Sequence, residues 1–208
     1  RSEYTGRDER TNQEVQLTLQ KPVHAVGYPV KNYDSLPELD LDLKHETNFV
    51  SVAQFGPRKN VPNTLKWFME EFKDDDVGFV LKTNIAKNCL MDREKVVSDL
   101  KQFLSPYGDH KCKVYVLHGN MTDEEMHSLY RHPKIKAYVT MAHGEGFGLP
   151  VFEAAYSGLP VVSPGWSGQM DFLCDSKGKE RFYNAPYDIQ TVSPDVVWPG
   201  VLVADSMW

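Results

Sequence analysis

At 208 residues the chain can bury one good α/β core but is short for two. Hydrophobic residues make up 41% and charged residues 25%, an ordinary soluble balance, and the net charge of -6 argues against non-specific nucleic-acid binding. No Lys/Arg block suggests a polybasic membrane patch, no apolar run approaches membrane-span length, and no signal peptide is evident.

The first residue is Arg1 rather than Met, which reads as a processed product or a fragment. Cys89, Cys112 and Cys174 are far apart and odd in number, so they suggest neither a disulfide framework nor a zinc site. A reducing compartment, hence a cytoplasmic location, is the simplest expectation. Residues 1–47 are polar and carry no sustained period; they read as a linker or lead-in, with residues 48–208 as the domain proper. Arg7 to Glu14 looks solvated, and Val23 to Pro29 could form one short strand. Asp40-Leu-Asp42 has the D-x-D spacing of a metal motif, but that pair is common and these lie between Pro37 and a charged stretch. Asp74 to Asp76 reads as a solvated helix end. No metal site is assigned.

From Asn48 the text alternates between strands and helices. Phe49 to Gln54 predicts a buried strand, and a helix follows Pro62 with Leu65, Phe68, Met69 and Phe72 on one face. Val77 to Lys82 is the second strand. Asp92 can cap a second helix with a face of Val96, Val97, Leu100, Phe103 and Leu104, stopped by Pro106 and Gly108. Lys113 to Leu117 is the third strand. Thr122 to Glu125 is a capping box for a third helix ended by His132-Pro133, a better role for Thr122 than the formal sequon Asn120-Met-Thr122. Lys136 to Met141 is the fourth strand, Leu149 to Ser157 a helix, and Pro160 to Ser163 the fifth strand. This order predicts an α/β, Rossmann-like, doubly wound parallel sheet that binds ligands at its C-terminal strand ends.

Between the fourth strand and its helix stands His143-Gly-Glu-Gly-Phe-Gly-Leu-Pro-Val-Phe-Glu153. A glycine loop running into a helix N-terminus can hold an anion, because free N–H groups and the helix dipole point outward. Glu145 and Glu153 bracket that site, which suits a ligand carrying both phosphates and hydroxyls, such as a nucleotide-sugar. The loop could equally just join a buried strand to a helix. The first strand runs into Gly56-Pro-Arg-Lys-Asn60, where two adjacent cations could meet a diphosphate or simply be exposed charge.

The run EGFGLPVFEAAYSGLPVV from Glu145 to Val162 resembles the E-x7-E element of the retaining GT-B glycosyltransferases, especially the large family-4 group. The resemblance covers about Phe49 to Phe172 and implies the C-terminal, donor-binding half of a GT-B fold, with the N-terminal acceptor domain and the C-terminal helix missing. Glu153 would then accept hydrogen bonds from the ribose hydroxyls, or alternatively serve only the helix dipole. Glu145 would sit against hydroxyls of the donor sugar. The backbone of Gly146, Phe147, Gly148 and Leu149 would hold sugar and diphosphate. Lys59 would contact the donor phosphates, and Arg58 is carried over beside it, although many relatives place an arginine where Gln54 stands. His143 replaces a serine or small residue and could touch the diphosphate or pack under the loop. Trp166, in Pro164-Gly-Trp-Ser-Gly168, could shape the sugar pocket or cap the core, and the following Gln169 to Phe172 departs from the family's commoner ending.

The resemblance implies an enzyme, a retaining and metal-independent glycosyltransferase, with Glu145 and Lys59 as catalytic candidates. No cofactor is expected beyond a UDP- or GDP-linked sugar as donor substrate. Expected partners are that donor, a glycan or other hydroxyl acceptor, and the missing acceptor-binding domain or subunit, through which peripheral membrane association would arise. The chain alone is expected to be inactive. The alternatives are a non-catalytic nucleotide-sugar-binding module and a GT-B-type sugar-nucleotide epimerase.

Overall fold

The computed structural model describes residues 2–197 apart from 9, 20, 23 and 25, and it divides into two units, Arg1–Asp34 and Ser35–Trp208. The first unit contains an antiparallel hairpin of β1 (Ser2–Arg7) and β2 (Glu14–Leu19), paired from Ser2↔Leu19 to Arg7↔Glu14. Its turn is built by Asp8, whose carboxylate accepts the N–H groups of Arg10 and Thr11, while Asn12 takes a left-handed φ of 55°. This hairpin is absent from the sequence reading of residues 1–47, because its apolar alternation (Val15, Leu17, Leu19) is too short to stand out. Residues 24 and 26–29 form no strand; Val23 and Ala25 of that expected strand lie outside the described residues.

In the second unit the strands and helices alternate. They are β3 (Thr47–Val52), α1 (Val61–Phe72), β4 (Val77–Lys82), α2 (Leu90–Leu104), β5 (Lys113–Leu117), α3 (Asp123–Tyr130), β6 (Ile135–Val139), α4 (Leu149–Tyr156), β7 (Val161–Pro164), α5 (Met170–Leu173) and β8 (Tyr183–Ala185). The strands form one sheet in the order β5-β4-β3-β6-β7-β8, every pair parallel. The unit is thus the expected Rossmann-like α/β sheet, with β8 an additional edge strand that three residues of mixed polarity did not announce.

Side chains alternate between the faces of each strand. On one face Phe79 and Leu81 pack with Leu65, Phe68 and Met69 of α1 and Val96 and Leu100 of α2. On the other, Val50, Val80, Tyr138 and Val161 pack with Leu129 and Tyr130 of α3 and Val151 and Ala154 of α4. The same alternation governs the segment before β3: Leu39, Leu41 and Leu43 join the second cluster while Asp40 and Asp42 are exposed. The unit that carries the sheet accordingly begins at Ser35.

The local signals are partly as expected. Thr122 and Glu125 form the reciprocal capping box of α3. Asp92, however, is not a cap: α2 begins at Leu90 with Cys89 at the N-cap position. Its carboxylate instead reaches back to the N–H groups of Ile85 (2.9 Å), Ala86 (2.8 Å) and Lys87 (2.8 Å), and His118 Nε2 lies 2.8 Å away. An acid just before an apolar helical face carries the spacing of a cap, and nothing local reveals a partner seven residues upstream.

Candidate functional site

The order of the sheet reverses between β3 and β6, so the loops leaving these two strands must run side by side. One is the basic loop Gly56 to Asn60, a single 3-10 turn that ends with Asn60 in the left-handed region at φ 51°. The other is the glycine loop. They are tied together by His143 N–H donating to Arg58 O (2.9 Å) and by Asn60 Nδ2 donating to Met141 O (2.9 Å).

Across this seam the three expected charges converge. Arg58 Nη1 donates to Gly144 O (2.6 Å) and Glu145 Oε2 (3.1 Å), and Lys59 Nζ donates to Glu145 Oε1. The Glu145 side chain is only 9% exposed, against 15% for Lys59 and 37% for Arg58. Glu145 is fixed from behind as well. Its N–H donates to Ser167 Oγ (2.9 Å), the same hydroxyl donates to Glu145 O (2.7 Å), and Gly168 N–H donates to that carbonyl (3.0 Å). Gly168 is required there, because a Cβ would stand 2.0 Å from Gly146 O.

The glycine loop closes on α4 through Gly148, whose φ of +87° only glycine adopts without strain. No side chain caps this helix N-terminus. Phe147 turns into an aromatic cluster with Phe152 (5.4 Å) and Phe172 (5.0 Å). Leu149 is exposed at the helix start. Glu153, one turn further, accepts a hydrogen bond from Tyr130 Oη (3.2 Å). Burial raises its carboxyl above the ordinary 4.5, with the Tyr130 bond opposing and the Asp123 charge adding. Burial lifts the phenol of Tyr138 above its ordinary range, and the charges of both Glu145 and Glu153 push the same way, so both carboxylates bear on one buried group.

Beside this seam lies a cavity of about 290 Å³ at the C-terminal ends of β3, β4 and β5. Gln54, Lys59, Lys82, Asn84, Asn120 and Pro150 are among its walls, which brings the start of α4 to the same space as two cations. Lys82 Nζ donates to Gly119 O, and burial lowers its pKa. Asn84 Nδ2 donates to Asn88 Oδ1 (3.1 Å), and Asn88 Nδ2 to Asn120 Oδ1. Behind them Asp92 and His118, with side chains 7% and 4% exposed, hold the loop that carries Asn84 and Asn88. Burial opposes the charge on Asp92, but the three N–H donors and His118 outweigh it and hold the carboxyl well below its ordinary 3.8.

His143 lines a second, larger groove rather than this cavity, and burial lowers its imidazole pKa. Lys82, Tyr130 and the Asp92–His118 pair escaped the sequence reading. Lys82 reads as the polar end of a strand and Tyr130 as a core residue of α3; both roles come from neighbours brought by the fold. Among the described residues, no group of three or more His, Cys, Asp or Glu is arranged to hold a metal ion, and no helix is long and apolar enough to cross a membrane.

A parallel Rossmann-like sheet of this kind is found in the GT-B glycosyltransferases. The sequence model of the family "Glycosyl transferases group 1" matches residues 41–194, and the chain belongs to that family. It is 29% identical over 147 residues to the serotype-specific mannosyltransferase WbdA of Escherichia coli, covering 69% of this chain and 16% of that protein. The chain thus spans about a sixth of that relative's length. Among solved structures it is similar in fold to trehalose-6-phosphate synthase OtsA (TM-score 0.51, 13% identity, 69% of this chain and 33% of that one). A structure described as trehalose-6-phosphate from E. coli bound with UDP-2-fluoro glucose is likewise similar, with TM-score 0.50, 14% identity and coverage of 69% and 34%.

Proposed function

We propose that the chain is the donor-binding domain of a retaining glycosyltransferase, which takes a sugar from a UDP- or GDP-linked donor and passes it to an acceptor hydroxyl. The observation that carries this reading is the convergence of Lys59 and Arg58 on Glu145 beside a cavity that also holds Lys82 and the uncapped start of α4. Family membership and the donor analogue bound in one structure of the same fold add to it.

On this reading the diphosphate lies against Lys59, with Arg58 beside it, and the N–H groups of the loop from Gly146 to Leu149. The base and ribose extend into the asparagine-walled cavity, and Glu153 accepts the ribose hydroxyls. Glu145 meets hydroxyls of the donor sugar. As the bond from the anomeric carbon to the diphosphate oxygen breaks, charge grows on the leaving group. Cations and dipoles already in place stabilise that charge without reorganisation. The acceptor hydroxyl enters on the same face, so configuration is retained. No step calls for a bound metal or a cofactor. The acceptor side is supplied by a further domain or subunit, so the 208-residue chain alone binds donor without transferring sugar.

Calorimetric titration with UDP, GDP and their hexose conjugates tests this directly. Binding of one nucleoside diphosphate that persists in EDTA and weakens by roughly tenfold to a hundredfold in Lys59→Ala is expected, since a hydrogen bond to a charged group contributes about 1.5–3 kcal/mol. Equal affinity in wild type and Lys59→Ala, or binding that EDTA abolishes and a divalent metal restores, would remove it.

A further inference from the structure

The second hollow beside the glycine loop takes no part in the donor placement proposed above, although His143 and Trp166, both donor-side candidates in the sequence, line it. It is a groove of about 650 Å³ lined by Trp67 of α1, His143, Trp166, and Tyr187, Asp188 and Gln190 beyond β8, among others. That volume lies within the range of small-molecule sites, about 300–1,000 Å³.

Its chemistry narrows the ligand. No Lys or Arg stands among its described lining residues, whereas the smaller cavity presents Lys59 and Lys82. A phosphate would meet the Asp188 carboxylate here without a compensating cation, so the groove favours a neutral ligand. Its walls are nevertheless not those of a greasy slot. The rings of Trp166 and Tyr187 stack with centroids 6.4 Å apart and planes 24° from parallel, so two aromatic side chains support each other in the wall of the groove. Tyr187 is anchored by its hydroxyl, which donates to Gly165 O (3.2 Å). Trp67 and Tyr187 remain 47% and 43% exposed. The negative faces of aromatic rings attract weakly positive C–H groups, and a pyranose presents a whole face of them. Asp188 and Gln190, both exposed, offer the acceptors and donors that hydroxyls at the ring edge require. An aromatic pair bordered by a carboxylate and an amide matches a sugar ring on both counts.

The groove also borders the donor seam. Trp166 packs 3.5 Å from where a Cβ on Gly144 would stand, and the next residue, Ser167, holds both backbone groups of Glu145. We propose that this groove is a saccharide subsite that seats a neutral hexopyranose unit of the acceptor against the Trp166–Tyr187 pair, with its hydroxyls on Asp188 and Gln190. The assignment to the acceptor rests on the donor reading above; the binding of a saccharide does not.

The test uses the 208-residue chain and neutral disaccharides of glucose, galactose and mannose. Binding is followed by saturation-transfer NMR and tryptophan fluorescence, with UDP and GDP titrated in parallel. At least one disaccharide is expected to bind and to perturb tryptophan emission. Tyr187→Ala and Asp188→Ala should each weaken it at least tenfold, and Asp188→Ala should do so with an unchanged melting temperature because its side chain is exposed. No disaccharide binding, or binding unaltered in both variants, overturns the proposal whatever the nucleotides do. Direct competition between a disaccharide and a nucleoside diphosphate would put the sugar in the cationic cavity and also overturn it. If neither UDP nor GDP binds while a disaccharide binds through Tyr187 and Asp188, the subsite stands and the donor reading falls.

Discussion

A carboxylate that is nearly buried between two cations differs from an exposed ion pair, because its partners cannot be replaced by water when they leave. Glu145 occupies Lys59 and Arg58, the groups to which the proposed reading assigns the diphosphate. On the proposed reading a nucleoside diphosphate would compete with Glu145, while a nucleotide-sugar would compensate that carboxylate with its own hydroxyls. Glu145→Ala is accordingly expected to bind UDP or GDP as tightly as wild type or several-fold more tightly, and to lose the extra affinity for the sugar conjugate. Paired titrations measure both, and equal weakening of both ligands would contradict the assignment. Glu153 offers a second handle through pH. Its folded pKa is raised above the ordinary value, so the folded chain takes up this proton before the unfolded chain does. At this group the fold gains stability as pH falls through the raised pKa towards 4.5, whereas the proposed ribose contact, which uses the carboxylate, would weaken over the same interval. Nucleoside diphosphate affinity should thus fall on acidification in wild type, and this component should vanish in Glu153→Gln. Apo melting curves recorded over the same pH range check the opposite sign for stability.

At the scale of elements, two glycines separate scaffold from site. At Gly78 in β4 a Cβ would lie 1.9 Å from Asn48 Oδ1 and 2.9 Å from the Tyr115 ring. Asn48 cannot retreat easily, since it is fully buried and its amide donates to His45 O and Lys134 O. Gly78→Ala should lower stability by about 1–3 kcal/mol, the usual penalty for overpacking, and leave donor affinity intact in the folded fraction. Gly168→Ala strikes the Gly146 carbonyl instead and should displace the loop, so donor affinity drops more than stability does. Denaturant melts beside titrations distinguish the two. The Asp92 loop carries a pH signature. A depressed carboxyl contributes stability that is fully present above its ordinary 3.8 and is lost as pH falls from there towards the depressed value. Asp92→Asn should therefore melt lower than wild type at neutral pH, and the gap should narrow below pH 3.8, with faster amide exchange at Ile85, Ala86 and Lys87. Elements long enough to show a period were legible in the sequence, as Leu65, Phe68 and Met69 of α1 and the Thr122 box illustrate. The equally short strands of the sheet showed through continuous apolar runs such as that of β4, which the hairpin, α5 and β8 lack. The charges at the site were legible because strand and glycine loop sit next to them in sequence. Lys82 and Tyr130 were not, because their partners Gly119 and Glu153 are 37 and 23 residues away.

On the scale of the whole molecule, the seam between the basic loop and the glycine loop has a temporal consequence. Arg58 and Glu145 are 87 residues apart, and the carbonyl of Glu145 is held by residues as late as Gly168. Closing so long a loop is entropically unfavourable until the strands between are in place, and parallel sheets rich in distant pairings assemble slowly. Helical circular dichroism should therefore return first on dilution from denaturant, and donor binding only with the slowest phase of tertiary structure. During synthesis the same geometry delays competence: a nascent chain that has exposed Glu145 but not Ser167 and Gly168 has the charges without the brace. A series of stalled chains of increasing length should capture nucleoside diphosphate only once residue 168 has cleared the ribosomal tunnel, however early the helices around it have formed.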